Sequence, residues 1–281
     1  MNILKAKSMA ARWLMRFFLL AVTVITIYPI FWNIYSSFKT NNEFMKDAFS
    51  LPEQLDVSSY ARAWDGASIG ENFFNSALGV VILLIIIVVC VIPCAYVLSR
   101  YTFWGSKTML NLFMAAIFIK ATYIIIPLFL QMNSLGLVNN LPAYAAVYAV
   151  TQFPFSIFLM VGYMKGISLT YEEAAKVDGC SNFRILTQII VPMAKPGIFT
   201  VCMLSGMAIW NDYPVALVML SDPLKTTLPV GLASLNIRAG AYSDFVGLFA
   251  ALVIVLIPTV FFYGIGQRYL IQGVSAGGLK G

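Results

Sequence analysis

The chain alternates between long apolar segments and short polar ones. The apolar segments are about 20 residues long or longer, and as helices rising 1.5 Å per residue they would each cross about 30 Å of hydrocarbon. We place spans at residues 13–36, 73–98, 109–131, 142–164, 197–220 and 245–267. The pattern therefore predicts an all-α integral membrane protein with six transmembrane helices in a single domain, residues 1–281.

Composition supports a membrane location and argues against other classes. The chain is 60% apolar and 11% charged, whereas soluble domains are about 25% charged. Its formal charge of +6 comes from basic residues scattered singly around apolar runs, so we expect no nucleic-acid partner. With no His in the chain and four separated Cys, we expect no metal site and no disulfide framework.

The positions of Lys and Arg set the expected orientation. Most of them fall in the segments that are cytoplasmic if the N-terminus is cytoplasmic, as the positive-inside bias requires. Both termini and a loop of residues 165–196 are then cytoplasmic, and the segment 37–72 is an irregular outer loop. The first apolar run lacks a small-residue cleavage site, so we interpret it as a retained span.

The loop between the fourth and fifth spans contains a predicted short helix. Thr170 and Glu173 have the spacing of a capping box, and Glu172 and Glu173 would lie in the favourable first turn. Gly179 can take the left-handed conformation that ends a helix. These signals predict a helix of about two to three turns.

A second helix is predicted directly after the first. Ser181 is a candidate N-cap, and Phe183, Leu186 and Ile190 form one apolar stripe that Pro192 ends. The loop should therefore be a helix–turn–helix that lies under the bilayer.

The first of these helices has the character of a docking element. Ala174 and Ala175 present almost no side chain, so the backbone of another protein could approach closely. Glu173 and Asp178 supply charge at its two ends. The alternative is an interfacial loop that has no protein partner.

Two charged residues, Lys120 and Asp212, fall within predicted spans, where charges are costly and usually functional. Trp210, Asn211 and Asp212 could stack on a sugar and exchange hydrogen bonds with its hydroxyls. They could instead have a structural role, in which they cap an interrupted helix before Pro214 and hold two subunits together. Lys120 could pair with Asp212 or extend its amine to the interface, and the sequence leaves both open.

Short motifs in a fixed order extend over nearly the whole chain. They are Ser37-Phe38-Lys39 with Glu43, Leu51-Pro52, Tyr60, Trp64, Asn75-Ser76, Ile126-Pro127-Leu128, Leu135-Gly136-Leu137, Glu173-Ala174-Ala175 with Gly179, Trp210-Asn211-Asp212 and Gln267-Arg268-Tyr269. In these motifs the chain resembles permease subunits of bacterial ABC carbohydrate importers, in particular the smaller, second permease of the maltose system. It departs at Val191, where Leu is usual, and in Phe118–Ala121, which lacks a proline often found there.

The resemblance implies a set of functional residues. The coupling residues that would sit in a cleft of a cytoplasmic ATPase are Glu172, Glu173, Ala174, Ala175, Asp178, Gly179 and Pro192. The solute pathway would include Trp210, Asn211, Asp212 and Lys120. An extended C-terminal tail with Gly277, Gly278 and Gly281 would reach toward the ATPase.

The resemblance also implies partners and a location. We expect a second, homologous permease, two copies of the ATPase and an extracytoplasmic sugar-binding protein, assembled in a bacterial cytoplasmic membrane. The ATPase would bind ATP and Mg, because this chain has no GxxxxGK[ST] loop and no recognisable catalytic residues. The alternatives are an ABC permease for a non-sugar solute and a self-sufficient secondary transporter, although the latter would want internal repeats and more buried titratable groups. A membrane-bound enzyme is disfavoured by the lack of His and of clustered acids.

Overall fold

The computed structural model describes residues 2–66, 68–242 and 244–278, whose regular elements are all helices with no strand among them. In chain order the α-helices are α1 Asn2–Ser36, α2 Asn41–Lys46, α3 Ser58–Ala61, α4 Ile69–Arg100, α5 Ser106–Ala116, α6 Ile125–Ser134, α7 Leu141–Lys165, α8 Thr170–Val177, α9 Asn182–Ile185, α10 Val191–Met193, α11 Lys195–Trp210, α12 Pro214–Met219, α13 Leu228–Tyr242 and α14 Phe245–Gly278. Two π-helical turns, Arg62–Gly66 and Leu186–Ile190, and a 3₁₀ turn, Ala121–Tyr123, complete the elements.

Three of the described helices are long and apolar enough to cross a membrane. They are residues Arg12–Ser36 of α1, α4 and α7, and they coincide with the predicted spans 13–36, 73–98 and 142–164. Residues Asn182–Met193 and Lys195–Trp210 make a further candidate bent by 77°. The predicted span 245–267 lies within α14. Crossing by all six predicted spans stays a prediction.

Two predicted spans are not continuous helices, and proline explains one of the two interruptions. The span 109–131 is interrupted at residues 117–124, between α5 and α6, and Pro127 lies in the first turn of α6. The span 197–220 breaks after Trp210, because Pro214 has no N–H for the carbonyl of Trp210 and its ring would clash there. Each of these two spans is therefore made of more than one helix, and that it crosses the membrane stays a prediction.

The chain divides into two compact units, residues 68–233 with 257–281 and residues 1–67 with 234–256. In the first unit, α4, α7 and α11 pack against one another around a core that includes Ile87, Ala145, Met160 and Val201. That the chain is one transmembrane domain stays a prediction.

Small residues allow α7 and α11 to approach closely. A Cβ added to Gly197 would lie 2.7 Å from Cγ of Tyr163, nearer than real Cβ contacts allow. Further along the same pair of helices, the hydroxyls of Ser156 and Ser205 are 3.2 Å apart, so each buried oxygen has a partner. Both contacts require small side chains on α11.

Polar side chains at the start of α4 fix the segment that leads into α13. The amide of Asn75 donates to the carbonyls of Leu224 and Thr226, each at 3.0 Å. The hydroxyl of Ser76 accepts from the N–H of Leu228 at 2.8 Å. The Asn75-Ser76 motif therefore has a structural role in holding this segment.

The second unit contains an ordered segment where an irregular loop was expected. Thr40 caps α2, and its N–H donates to the Glu43 carboxylate at 2.8 Å, which holds the pKa of that carboxyl below its ordinary value. The sequence signal for this capping box, Thr followed three residues later by Glu, is present but was overlooked. The ring of Phe44 packs edge-on to Phe249 at 5.0 Å.

Lys39 is the most unusual residue of this unit, because its side chain is fully buried. Its ammonium donates to the carbonyls of Asp47 and Ala48 at 3.0 and 3.3 Å and to the hydroxyl of Ser50 at 3.2 Å. A buried charge is tolerated only where hydrogen bonds replace its hydration. Lys39 therefore fixes the turn that follows α2.

We predict that Lys39→Met loosens residues 47–50, because the carbonyls lose their charged donor. Each such bond contributes roughly 2 kcal/mol, so amide exchange in this segment should quicken by at least about tenfold. Hydrogen–deuterium exchange measures it. Lys46→Met, at an exposed position of α2, is the matched control and should exchange as the parent does; equal exchange in both variants would contradict the role of Lys39.

Candidate coupling loop and polar cavity

The predicted helix after α7 is present as α8, but its N-terminus is built differently from the prediction. Thr170 is the first helical residue and Leu169 precedes it without a side-chain cap. The hydroxyl of Ser168 accepts from the N–H of Thr170 at 3.3 Å and contacts the Thr170 hydroxyl at 3.0 Å. The predicted capping box of Thr170 and Glu173 is wrong, because Ser168 already engages Thr170.

Gly179 ends α8 in the predicted manner. Its φ of +80° lies in the left-handed region, where residues with a Cβ are disfavoured. The N–H of Cys180 donates to the carbonyl of Ala175 at 2.9 Å, and the N–H of Gly179 donates to that of Lys176 at 3.1 Å. This pair of bonds is the Schellman motif, which satisfies carbonyls that the helix end would leave unpaired.

The two faces of α8 differ sharply. Glu172 and Ala175 are buried, whereas Glu173, Ala174, Asp178 and Gly179 are exposed. Only Ala174 of the two alanines therefore offers its small side chain to another molecule.

Sequence reasoning missed Tyr171 and Val177, which are 54% and 88% exposed on this helix. They lie six residues apart, with Ala174 midway, and this helical spacing was the available signal. An exposed apolar helix face of this kind is typical of a protein contact surface.

The second helix of the loop is also present in altered form. Ser181 caps it by accepting from the N–H of Arg184 at 3.4 Å, as predicted. The continuous helix gives way to the π turn Leu186–Ile190 before Pro192, whose missing N–H cannot bond the carbonyl of Gln188. Of the predicted stripe, Leu186 and Ile190 are buried, but Phe183 is 75% exposed.

A half-open cavity of about 380 Å³ lies where two helix interruptions face α7, and we call it the polar cavity after the polar half of its lining. Its polar lining residues are Lys120, Thr122, Tyr148, Thr151, Gln152 and Asp212. Irregular backbone at membrane depth is tolerated only where it is buried in protein or faces a water-filled space. Residues of both interruptions, among them Lys120, Thr122 and Asp212, therefore line the cavity opposite α7.

Asp212 is held firmly in the wall of this cavity. Its Oδ2 accepts from the hydroxyl of Tyr144 and from the N–H of Ala216, each at 2.9 Å. The second bond caps α12, so the predicted capping role before Pro214 is present in the structure. Lys120 lines the same cavity, yet no ion pair joins it to Asp212 within the described residues.

Trp210 and Asn211 lie outside the cavity lining. The Trp210 ring is buried and packs edge-on to Phe73 at a centroid distance of 5.6 Å. The Asn211 amide donates back to the carbonyl of Met207 at 2.8 Å. The structure thus separates the sequence trio, and Asp212 alone of the three lines the cavity.

The C-terminal residues depart from the extended tail that was expected. Gly277 and Gly278 are the last residues of α14, and Gly281 lies outside the described residues. Any approach of this segment to an ATPase stays a prediction.

Comparison with known families places the whole chain. Residues 3–276 match the family described as binding-protein-dependent transport system inner membrane component. The chain belongs to this family. It is therefore a membrane permease subunit of a transport system, and the predicted resemblance is confirmed.

Individual relatives agree over most of their length. The permease is 32% identical to the diacetylchitobiose uptake system permease protein NgcG of Streptomyces coelicolor, over 91% of this chain and 84% of that protein. It is 30% identical to the galactooligosaccharides transport system permease protein GanQ of Bacillus subtilis, over 96% of both chains.

Its fold is also similar to that of a solved structure. The match is to a chain of a bacterial ABC transporter involved in the import of the acidic polysaccharide alginate, with a TM-score of 0.80 and 27% identity. It covers 91% of this chain and 95% of that chain.

Proposed function

We propose that this permease is one transmembrane subunit of an ATP-driven importer of sugars or oligosaccharides. The observation that carries the proposal is α8, a short helix that ends at a left-handed glycine and exposes Tyr171, Ala174 and Val177. A face so small and apolar at its centre, with Glu173 beside it, suits a groove in another protein. The relatives named for oligosaccharide transport support the class of solute.

In the proposed complex, a cytoplasmic ATPase dimer binds ATP and Mg and receives α8 in a cleft. Closure of that dimer on ATP moves α8, and the movement alters the access of the pathway to the two sides of the membrane. A second permease subunit and an extracytoplasmic sugar-binding protein complete the assembly. The Lys and Arg distribution supports cytoplasmic termini and a cytoplasmic α8, on the side of the proposed ATPase.

The polar cavity is the candidate for solute contact. Its hydroxyl, amide, carboxylate and ammonium groups are those that hydrogen-bond sugar hydroxyls. Lys120 and Asp212 remain the proposed pathway residues, and we add Gln152 and Thr151 from the lining. Trp210 and Asn211 are better assigned to packing and to the helix end.

Purification from the native membrane in mild detergent tests the assembly. We expect a soluble ATPase and a second permease to co-purify in defined ratio, and uptake of labelled oligosaccharides into proteoliposomes to require ATP. A non-sugar solute as the only cargo would restrict the proposal to the family. Transport by this chain alone, driven by an ion gradient without ATP, would overturn it in favour of a secondary transporter.

We predict that Gly179→Val reduces uptake severely while the amount in the membrane stays normal. An added Cβ meets nothing within 4 Å, so the damage comes from left-handed backbone strain, about 1–2 kcal/mol or more for a β-branched residue. Gly179→Asn is the matched control, because Asn tolerates this conformation, and should transport nearly as the parent does. Normal uptake by the valine variant would show that the end of α8 is unimportant.

Asp212→Asn should lower uptake severalfold while assembly persists, because its amide oxygen can still accept from Tyr144 and Ala216 but its charge is gone. Asp212→Ala removes the acceptor as well and should also lower the melting temperature of the purified protein, as the loss of a helix cap and a buried bond requires. Uptake and thermal unfolding are measured on both. Undiminished uptake with Asn would exclude the Asp212 charge from the pathway.

A further inference from the structure

Glu172 is bound by the membrane helix α4 and not exposed on the docking face of α8. Its Oε1 is 2.5 Å from Nε of Arg100, the last residue of α4, and its Oε2 accepts from the Tyr96 hydroxyl at 2.9 Å. The side chains of Arg100 and Glu172 are only 5% and 4% exposed. Both carboxylate oxygens are therefore engaged by residues of one helix.

Tyr96 and Arg100 are four residues apart and so project from the same side of α4. Arg100 makes one more contact, in which its Nη2 donates to the carbonyl of Ile167 at 2.9 Å. Ile167 belongs to the linker 166–169 that joins α7 to α8. One guanidinium thus grips both the helix α8 and the linker before it, as its rigid planar set of donors allows.

The burial of this network makes it resistant to sliding or rotation. A buried charge that loses its partner is left without hydration, so Arg100 and Glu172 hold each other in place. Without them, α8 would be joined to the membrane helices through the short linker at Gly166 and through packing of residues such as Ala175. Such a linker can change angle without moving α4.

We propose that Arg100, Tyr96 and Glu172 form a rigid joint that transmits movement of α8 to α4. Arg100 and Tyr96 are positioning residues in this scheme, and Glu172 is the anchor of α8, whereas Glu173 faces the partner. The proposal rests on the proposed coupling to an ATPase. It predicts that a variant without these contacts still docks and supports ATP hydrolysis, but that movement of α8 no longer moves α4.

The test uses the complete transporter in proteoliposomes, with its ATPase, second permease and binding protein. The probe is the labelled disaccharide or oligosaccharide that the parent complex imports fastest from a panel. For each variant the ATP hydrolysed per sugar imported is measured, together with the amount of ATPase that co-purifies.

We expect Glu172→Gln and Arg100→Met to raise the ATP consumed per sugar by about tenfold, a size typical of coupling between two sites. Co-purification of the ATPase should be unchanged. Tyr96→Phe removes one of the bonds to Glu172 and should give a smaller rise. Arg100→Lys keeps the charge but cannot reproduce both contacts of the guanidinium, so it should also waste ATP.

Two variants separate coupling from folding. Lys107→Met removes an exposed charge in the first turn of α5 and should leave the ratio at the parent value. The double variant Arg100→Met with Glu172→Leu leaves no buried charge unpaired, so it should fold and yet remain wasteful of ATP.

Three outcomes would overturn the joint. Hydrolysis and uptake could fall in the same proportion, which indicates a role in stability alone, or the double variant could restore normal coupling. Loss of the ATPase from Glu172→Gln would instead place Glu172 at the partner interface. Failure of the parent complex to import any sugar with ATP would be different, because it would reject the proposed function itself.

Discussion

Helices α7 and α11 approach each other closely because small residues stand at their crossing, and both candidate sites are built on this contact. Gly197 meets the Tyr163 ring, and Ser156 meets Ser205. In a bilayer, close packing and interhelical hydrogen bonds replace the hydrophobic drive that unites helices in water. A larger residue at Gly197 would displace α7, which carries Tyr148, Thr151 and Gln152 of the cavity and leads into α8 at its C-terminal end.

The second feature of the fold is the placement of irregular backbone. Two apolar segments are interrupted, one between α5 and α6 and the other before Pro214, and Lys120 and Asp212 of these interruptions line the cavity. Asp212 caps α12 by accepting the N–H of Ala216, one of the backbone groups at the start of this helix that would otherwise be unpaired. Such interruptions would be unfavourable in a helix that faces lipid on all sides. Here they bring polar residues together in a cavity within an otherwise apolar protein.

The sequence predicted the class of fold and the placement of the long helices well, because apolar length and the scarcity of charge are local properties. It predicted Gly179 correctly for the same reason, since the need for a left-handed residue is read from a few neighbours. It failed where a tertiary partner decides. Nothing near Glu172 in the sequence predicts its contact with Arg100, which lies 72 residues earlier. Glu172 was therefore grouped with the docking residues.

The length of α8 has a consequence of its own. Its 8 residues are too few for a helix to persist in water, where about 12–15 residues are marginal. Its helical shape is therefore stabilised by the Schellman motif at its end, by the burial of Ala175 and by the contacts of Arg100 with Glu172. A chain in which α4 and α7 had not yet come together would display no such helix. On the proposed function, the ATPase can bind α8 only in a permease that has already folded. The joint therefore also makes assembly with the ATPase depend on the folding of the permease.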